Sequence, residues 1–299
     1  MTPRVIVGTS SLGSVVPLGP PDPRALRYLD EIFEVGCRAF DLAASYQVGG
    51  TERLFGAWIA SRKNRDQLFL ITKGAHPFPI VAPHRLTPRA IEDDLDASLR
   101  RLRTDRVDLY LLHRDDEGAP LEPVVALLAK RRARGDILAW GVSNFALGRL
   151  EAIDALARAA GERVAASSTH FSLYGWSRPP FPGSVSVAGD RAALAFHART
   201  SMPLLAWSPL GAGFATGRAT RVYDHAENRA RRERARKMAR ERGVSPAQIA
   251  LAYVLSQPFP ARVIVASGAA ARMRENLGAV DVHLDAADLR WLATAETAV

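Results

Sequence analysis

Short apolar runs alternate with longer amphipathic segments along the chain. Eight runs of four to six residues are rich in Val, Ile, Leu, Phe or Trp. This pattern is typical of strands that are buried on both faces of a parallel sheet. We predict the strands at Val5–Gly8, Ala39–Leu42, Leu68–Thr72, Val107–Leu112, Ala139–Val142, Ala165–Thr169, Leu204–Trp207 and Val263–Ala266.

The segments between the strands have the periodicity of helices. In Arg89–Arg103 the acids come early and the arginines late, which suits the helix dipole. Thr87 is the expected N-cap of this helix, because a hydroxyl can accept a hydrogen bond from a free backbone N–H. The same pattern predicts helices at Glu122–Arg134, Arg149–Ala160 and Ala247–Leu255, the last opened by Ser245-Pro246.

Strands that alternate with helices predict an α/β fold with parallel βα units. A chain of 299 residues with eight such units has about 37 residues per unit, which fits a closed (β/α)8 TIM barrel. An open doubly wound sheet is the rival fold, but Gly8–Gly13 lacks the glycine spacing that it usually shows after its first strand. We therefore expect one barrel domain over residues 1–299.

Composition adds limits to this picture. Forty Lys and Arg against 31 Asp and Glu leave a formal charge of +9, which permits anionic ligands without selecting one. The single cysteine, Cys37, excludes an intramolecular disulfide and favours a reducing cytoplasm. No stretch has the roughly 20 apolar residues of a membrane span, so we expect a cytoplasmic protein with no membrane partner.

Four chemically active side chains follow or end three successive predicted strands: Asp41, Tyr46, Lys73 and His113. In this type of barrel the chemistry lies at the carboxyl ends of the strands, where these groups can converge. A cation about 4 Å from a phenol is worth about 4 kcal/mol at an effective dielectric of about 20. We expect Lys73 to lower the pKa of Tyr46 and Asp41 to offset part of this shift, which would give a general acid that works near pH 7.

Other chemistries have little support. The seven histidines are scattered, with no His-x-x-x-His pair and one thiol, so we expect no metal site. The basic segment Arg229–Arg242 mixes arginine with glutamate and has no interleaved aromatic residue. This is typical of a solvated helix face rather than of a nucleic-acid site, and we expect no nucleic-acid partner.

Several segments together resemble the aldo-keto reductase family. They include FDLAASYQVGGTERLFG at 40–56, VDLYLLHR at 107–114, GVSNF at 141–145, AWSPLGAGF at 206–214 and RENLGA at 274–279. The resemblance extends over nearly the whole chain. It implies an NAD(P)H-dependent oxidoreductase on a (β/α)8 barrel that reduces an aldehyde or ketone to an alcohol by hydride transfer.

The resemblance assigns the family's catalytic tetrad to the four side chains named above. Tyr46 would donate a proton to the carbonyl oxygen as general acid, and Lys73 would lower the pKa of Tyr46. Asp41 would hold Lys73 by an ion pair, and His113 would hydrogen-bond the same carbonyl oxygen. An alternative is a redox-sensing or regulatory subunit on the same fold, which would bind the cofactor with little turnover.

The resemblance also implies a set of residues that bind the cofactor. Ser143 and Asn144 would hold the nicotinamide carboxamide, Trp207 would stack on its ring, and Ser267 and Arg272 would bind the 2′-phosphate. Arg272 favours NADPH, although Ala266 replaces a lysine of many NADPH-specific members, so NADH is possible. The full set is Thr9, Asp41, Ser143, Asn144, Ser168, Trp207, Ser208, Leu210, Gly211, Gly213, Ser267, Gly268, Arg272, Glu275 and Asn276.

The implied substrate is a small carbonyl compound. Phe78, Tyr174 and Trp176 would offer aromatic walls for an aldehyde or ketone with an apolar body. Asp115 and Asp116 follow His113 and would discourage an anionic substrate if they faced the pocket. The sequence does not select the physiological substrate, the direction of the reaction or the oligomeric state.

Overall fold

Eight parallel strands pair in chain order and close into a barrel in the computed structural model, which describes residues 3–13, 21–77, 84–218 and 220–294. This confirms the predicted α/β, (β/α)8 fold. The strands are β1 Val5–Gly8, β2 Ala39–Asp41, β3 Phe69–Gly74, β4 Leu109–Leu112, β5 Trp140–Ser143, β6 Ser167–His170, β7 Leu204–Trp207 and β8 Ala261–Val265.

The register of the sheet determines which side chains lie at the carboxyl ends of the strands. Asp41 pairs with Ile71 of β3, and Lys73 pairs with Leu111 of β4. β3 continues to Gly74, because its carbonyl accepts a hydrogen bond from the backbone N–H of His113 at 2.8 Å. Lys73 therefore lies within β3, not after it as the sequence pattern predicted.

Helices follow the strands, and their ends are capped largely as the sequence predicts. Thr87 accepts a hydrogen bond from the backbone N–H of Ala90, and Ser245 forms a capping box with Gln248. None of the helices in the described ranges is long and apolar enough to cross a membrane. The helices are α1 Pro23–Glu34, α2 Gly50–Arg62, α3 Pro88–Leu102, α4 Glu122–Arg134, α5 Leu147–Ala159, α6 Arg191–Thr200, α7 Ala226–Arg242, α8 Pro246–Leu255, α9 Ala270–Leu277 and α10 Ala286–Ala293.

The contacts between residues divide the chain into two compact units, so one domain over 1–299 stays a prediction. Unit 1 comprises residues 1–3 and 7–167, and unit 2 comprises residues 4–6 and 168–299. In unit 1, Phe40, Phe55 and Trp58 pack edge to face with centroids 5.2–5.9 Å apart. In unit 2 a separate buried cluster includes Tyr174 and Phe214.

The basic helix α7 begins at Ala226, before the predicted start of the basic segment. Arg236 pairs with Glu233 within the helix, and Arg242 pairs with Asp288. Ala235 on the same helix is buried in the core of unit 2. The charges thus form a solvated outer face with internal ion pairs, as the mixed Arg and Glu pattern indicates.

Candidate active site

A strained turn presents Tyr46 just after β2. Tyr46 begins a short 3-10 segment, Tyr46–Gly49, in which Gln47 and Val48 have left-handed backbone conformations with φ of 49° and 51°. A β-branched residue such as Val48 rarely adopts this conformation, and its side chain is 71% exposed, so core packing does not enforce it. Strain of this kind concentrates at functional sites.

Lys73 joins Tyr46 to Asp41 inside unit 1. Its Nζ lies 2.7 Å from Oδ1 of Asp41 and 3.0 Å from the hydroxyl of Tyr46. It also donates to the carbonyl of Leu42 at 3.0 Å. Lys73 and Asp41 are both buried, so their charges act on Tyr46 with little screening by water.

The local environment changes the pKa values of both Tyr46 and Lys73. Burial raises the pKa of Tyr46 above its ordinary value and outweighs the lowering by the Lys73 charge. Burial lowers the pKa of Lys73, but Asp41 and Tyr46 together outweigh it and leave that pKa raised. The expected lowering of the Tyr46 pKa toward neutrality was therefore wrong, because the argument from charge omitted desolvation.

His113 follows β4 and is buried beside Tyr46. Its Nδ1 lies 3.3 Å from the hydroxyl of Ser45, and the rings of Tyr46 and His113 meet edge to face at 5.8 Å. The ring of His76 lies 4.7 Å away. Burial, with the charge of Lys73, holds the pKa of His113 well below its ordinary value, so the imidazole is neutral at pH 7.

The carboxylate of Glu52 is buried, and this residue follows the Tyr46–Gly49 segment in the chain. Glu52, in the first turn of α2, accepts hydrogen bonds from Thr72 at 2.5 Å and from Arg101 at 2.7 Å. Gly49 has a φ of 76°, and a Cβ there would lie 2.7 Å from Nε of Arg101, so glycine is favoured at this position. Glu52 had no predicted role, although it lies within the 40–56 motif and Thr72 directly precedes Lys73.

Three of the residues predicted to bind the cofactor are buried in unit 1, next to the elements that carry Asp41 and His113. Asn144 has a left-handed backbone with φ of 59°, and its amide donates to the hydroxyl of Ser143 at 2.8 Å and to the carbonyl of His113 at 3.4 Å. Thr9 donates to the carbonyl of Asp41 at 2.7 Å. Ser143, Asn144 and Thr9 are thus tied to the elements that carry Asp41 and His113.

In unit 2, Trp207 ends β7 within a cluster of aromatic rings. It meets His170 at 5.1 Å and Trp176 at 5.4 Å, and His170 stacks on Trp176 at 4.1 Å. Burial lowers the pKa of His170 to about 3, so this ring is neutral at pH 7. His170 was not among the predicted site residues, because a lone histidine forms no recognisable sequence pattern. The hydroxyl of Ser168 is buried and donates to the carbonyl of Leu205 at 3.2 Å.

The loop after β7 has an unusual backbone. Ser208, Gly211, Ala212 and Gly213 all have positive φ. The N–H groups of Gly211 and Gly213 donate to the carbonyls of Ser208 and Leu210 at 2.9 and 3.1 Å. These glycines therefore shape the loop, and their own N–H groups are already used in its turns.

The residues predicted to bind the 2′-phosphate, Ser267 and Arg272, lie just before α9 and on it. The Ser267 hydroxyl accepts from the N–H of Ala269 at 3.2 Å, and the space around Gly268 is open within 4 Å. Arg272 and Glu275 are exposed on α9, whereas Asn276 is buried. Within the part of unit 2 that the structure describes, Arg272 forms no ion pair, so its guanidinium is available to an anion.

The predicted aromatic walls have different outcomes. Tyr174 is fully buried against Phe214, with centroids 5.3 Å apart, so assigning it to a pocket wall was wrong. Trp176 is half-buried and stacks on His170. Phe78 lies outside the described residues. Across those ranges, no group of three His, Cys, Asp or Glu side chains is arranged to hold a metal ion.

Comparison with known proteins agrees with this fold. The chain matches the model of the aldo/keto reductase family over residues 4–296. The chain therefore belongs to the aldo/keto reductase family, a class of oxidoreductases, as the sequence resemblance indicated.

Individual relatives are more distant. Norsolorinic acid reductase A of Aspergillus parasiticus is 29% identical over 284 residues, which cover 90% of this chain and 70% of that protein. A methylglyoxal reductase of Escherichia coli is 29% identical over 265 residues, with 87% and 80% covered.

Solved structures show the same fold. An aldo-keto reductase from Klebsiella pneumoniae in complex with NADPH is 26% identical, with a TM-score of 0.75 and with 97% of this chain and 89% of that chain covered. A thermostable aldo-keto reductase in complex with epalrestat has a TM-score of 0.78 at 24% identity, with 99% and 96% covered.

Proposed function

We propose that this protein reduces an aldehyde or ketone to an alcohol with NADPH, and that Tyr46 is the general acid. One observation carries the proposal: the Tyr46 hydroxyl lies 3.0 Å from Nζ of Lys73, which is itself paired with Asp41 at 2.7 Å. A phenol held against a buried ammonium is suited to proton donation, because the ammonium stabilises the phenolate that remains.

The protonation states around Tyr46 support this role. The raised pKa of Tyr46 keeps the phenol protonated at neutral pH, and the raised pKa of Lys73 keeps the amine charged. The neutral ring of His113 has Nδ1 near Ser45. Its other ring nitrogen is left to hydrogen-bond the carbonyl oxygen and to orient the substrate.

Residues of unit 1 fit the nicotinamide end of the cofactor. The Asn144 side chain has an amide, and Ser143 has a hydroxyl 2.8 Å from it; both groups can exchange hydrogen bonds with a carboxamide. The left-handed backbone of Asn144 directs this pair from the end of β5. Bound NADPH would supply the hydride to the carbonyl carbon, while Tyr46 supplies the proton.

Two side chains of unit 2 are suited to a nicotinamide ring and to a phosphate. Nε1 of Trp207 is buried and has no hydrogen-bond partner among the described residues, and the ring is partly exposed and able to stack. The Arg272 guanidinium is exposed and has no ion-pair partner among the described residues, so it is suited to bind a 2′-phosphate. NADPH is the proposed cofactor because of Arg272, and NADH is the alternative because Ala266 adds no cation for a 2′-phosphate.

The Tyr46→Phe variant tests this function. It removes the donated proton and keeps the ring, so we expect carbonyl-dependent NADPH oxidation to fall by about 100-fold or more. NADPH affinity, measured by fluorescence titration, should change little. Unchanged turnover would refute the role of Tyr46, and cofactor binding without turnover in the wild type would favour a redox-sensing subunit.

A further inference from the structure

One cation beside Tyr46 has no carboxylate partner in the part of the chain that the structure describes. Arg114 follows His113 directly and is half-buried. Its Nη1 donates one long hydrogen bond, of 3.5 Å, to the carbonyl of His113. It makes no ion pair with any residue in the described ranges, and Glu296 is the one acidic residue of the chain outside them.

The two acids that follow Arg114 are bound elsewhere. Asp115 accepts from Nε and Nη2 of Arg149 at 3.0–3.2 Å, in the two-pronged geometry typical of strong pairs. Asp116 lies 2.9 Å from Nδ1 of His84 and accepts from the N–H of Gly118 at 3.3 Å. The hypothesis that these acids repel an anionic substrate is therefore weakened, because neither carboxylate is left without a partner.

The groups that surround Arg114 do not balance its charge. Lys73 is matched by Asp41, and burial holds the pKa of both His113 and His76 below the ordinary value, so both rings are neutral at pH 7. Burial also lowers the pKa of Arg114. A half-buried guanidinium without an anion is costly in a folded protein, and such groups are concentrated at binding sites.

We propose that Arg114 binds a carboxylate on the substrate and thereby makes this enzyme prefer carbonyl compounds that carry a carboxylate near the reacting carbon. The inference rests on the proposed function, because it takes His113 to contact the carbonyl oxygen. The charge of Arg114 acts to lower the pKa of the Tyr46 phenol, so the guanidinium lies near the group that would protonate the carbonyl oxygen. The planar guanidinium matches the two oxygens of a carboxylate.

The experiment compares benzaldehyde with its 2-, 3- and 4-carboxylated derivatives, with NADPH as cofactor. We expect wild-type kcat/KM to be higher for at least one carboxylated aldehyde than for benzaldehyde. Arg114→Met should lower that ratio by about tenfold or more, chiefly through KM, because it removes a charged hydrogen bond made in the ground state as well. Benzaldehyde itself should keep its kcat/KM within about twofold.

Matched variants separate binding from structure. Arg114→Lys keeps the charge and should retain part of the preference. Arg229→Met removes one charge from an exposed pair with Asp224 and should leave the ratio unchanged. Equal losses on benzaldehyde and on the carboxylated aldehydes in Arg114→Met would mean a structural role and would overturn the proposal. So would a wild-type enzyme that favours none of the carboxylated aldehydes.

The failure of the proposed function is distinguishable from the failure of this inference. If the wild type turns over none of the four aldehydes, the reductase assignment is at fault. Calorimetric titration with benzoate in the presence of NADP+ then decides the inference. Binding that is about tenfold weaker in Arg114→Met supports the carboxylate site, and equal binding or no binding in both proteins overturns it.

Discussion

Asp41 and Lys73 form a buried ion pair, with Oδ1 and Nζ 2.7 Å apart, across the neighbouring strands β2 and β3. Lys73 of this pair also contacts the Tyr46 hydroxyl. The pair therefore contributes both to stability and to the environment of the proposed general acid. Burying two charges has a large desolvation cost, and removing one partner leaves the other uncompensated.

Removing one charge of this pair should destabilise the protein strongly. Removing both charges should cost less than the two single losses added together. We expect Asp41→Asn or Lys73→Met alone to lower the free energy of unfolding by about 3–5 kcal/mol, measured by urea denaturation. The double variant should lose less than the two single losses added, by about 0.5–3 kcal/mol. Strictly additive losses would show that the two charges are not coupled.

The pH dependence of carbonyl reduction should show a broad plateau. In the proposed reaction Tyr46 acts as the protonated phenol, so activity should be lost as pH rises through its pKa, which is raised above 10.0. His113 is proposed to act as the neutral ring, so activity should be lost as pH falls through its pKa, which lies well below 6.5.

We therefore expect kcat/KM to have no acidic limb near pH 6.5 and no basic limb below pH 10.0. The pH profile of the His113→Gln variant serves as the comparison, because this variant lacks the imidazole that titrates in the wild type. A basic limb near neutral pH that is absent in Tyr46→Phe would contradict the expectation and would favour a pKa lowered by Lys73.

The Glu52 network should stabilise unit 1 more than an exposed ion pair does. Glu52 is fully buried and 2.7 Å from Arg101, so we expect Arg101→Met to cost about 2–3 kcal/mol in the free energy of unfolding. Arg106→Met removes a cation that pairs with the 86% exposed Asp66 and should cost about 1 kcal/mol or less. Equal losses in the two variants would count against a special role for the buried carboxylate.

Arg272 should determine the preference for NADPH. Its guanidinium is exposed on α9, and we expect Arg272→Met to reduce the ratio of kcat/KM with NADPH to that with NADH by about tenfold. Arg274→Met removes an exposed charge from the same helix and should leave the ratio unchanged. A wild-type preference for NADH would overturn the cofactor assignment.

Local patterns predicted several elements to the residue. β1, β7 and α4 have the predicted bounds, because an apolar run or a capped amphipathic segment is defined by neighbouring residues alone. β8 begins at Ala261 instead of Val263, and β3 continues to Gly74. Strand ends depend on the hydrogen bonds of the adjacent strand, which a single sequence does not show.

The sequence itself determined the four residue types of the predicted tetrad and their order. It also determined the alternation of eight strands with helices, because each of these features is contained in contiguous motifs. Tertiary structure alone decided the electrostatics: that burial outweighs Lys73 at the Tyr46 phenol, that Arg149 binds Asp115, and that Arg114 forms no ion pair with any described residue. Desolvation and ion pairing depend on distances between segments far apart in the chain, and no local pattern encodes those distances.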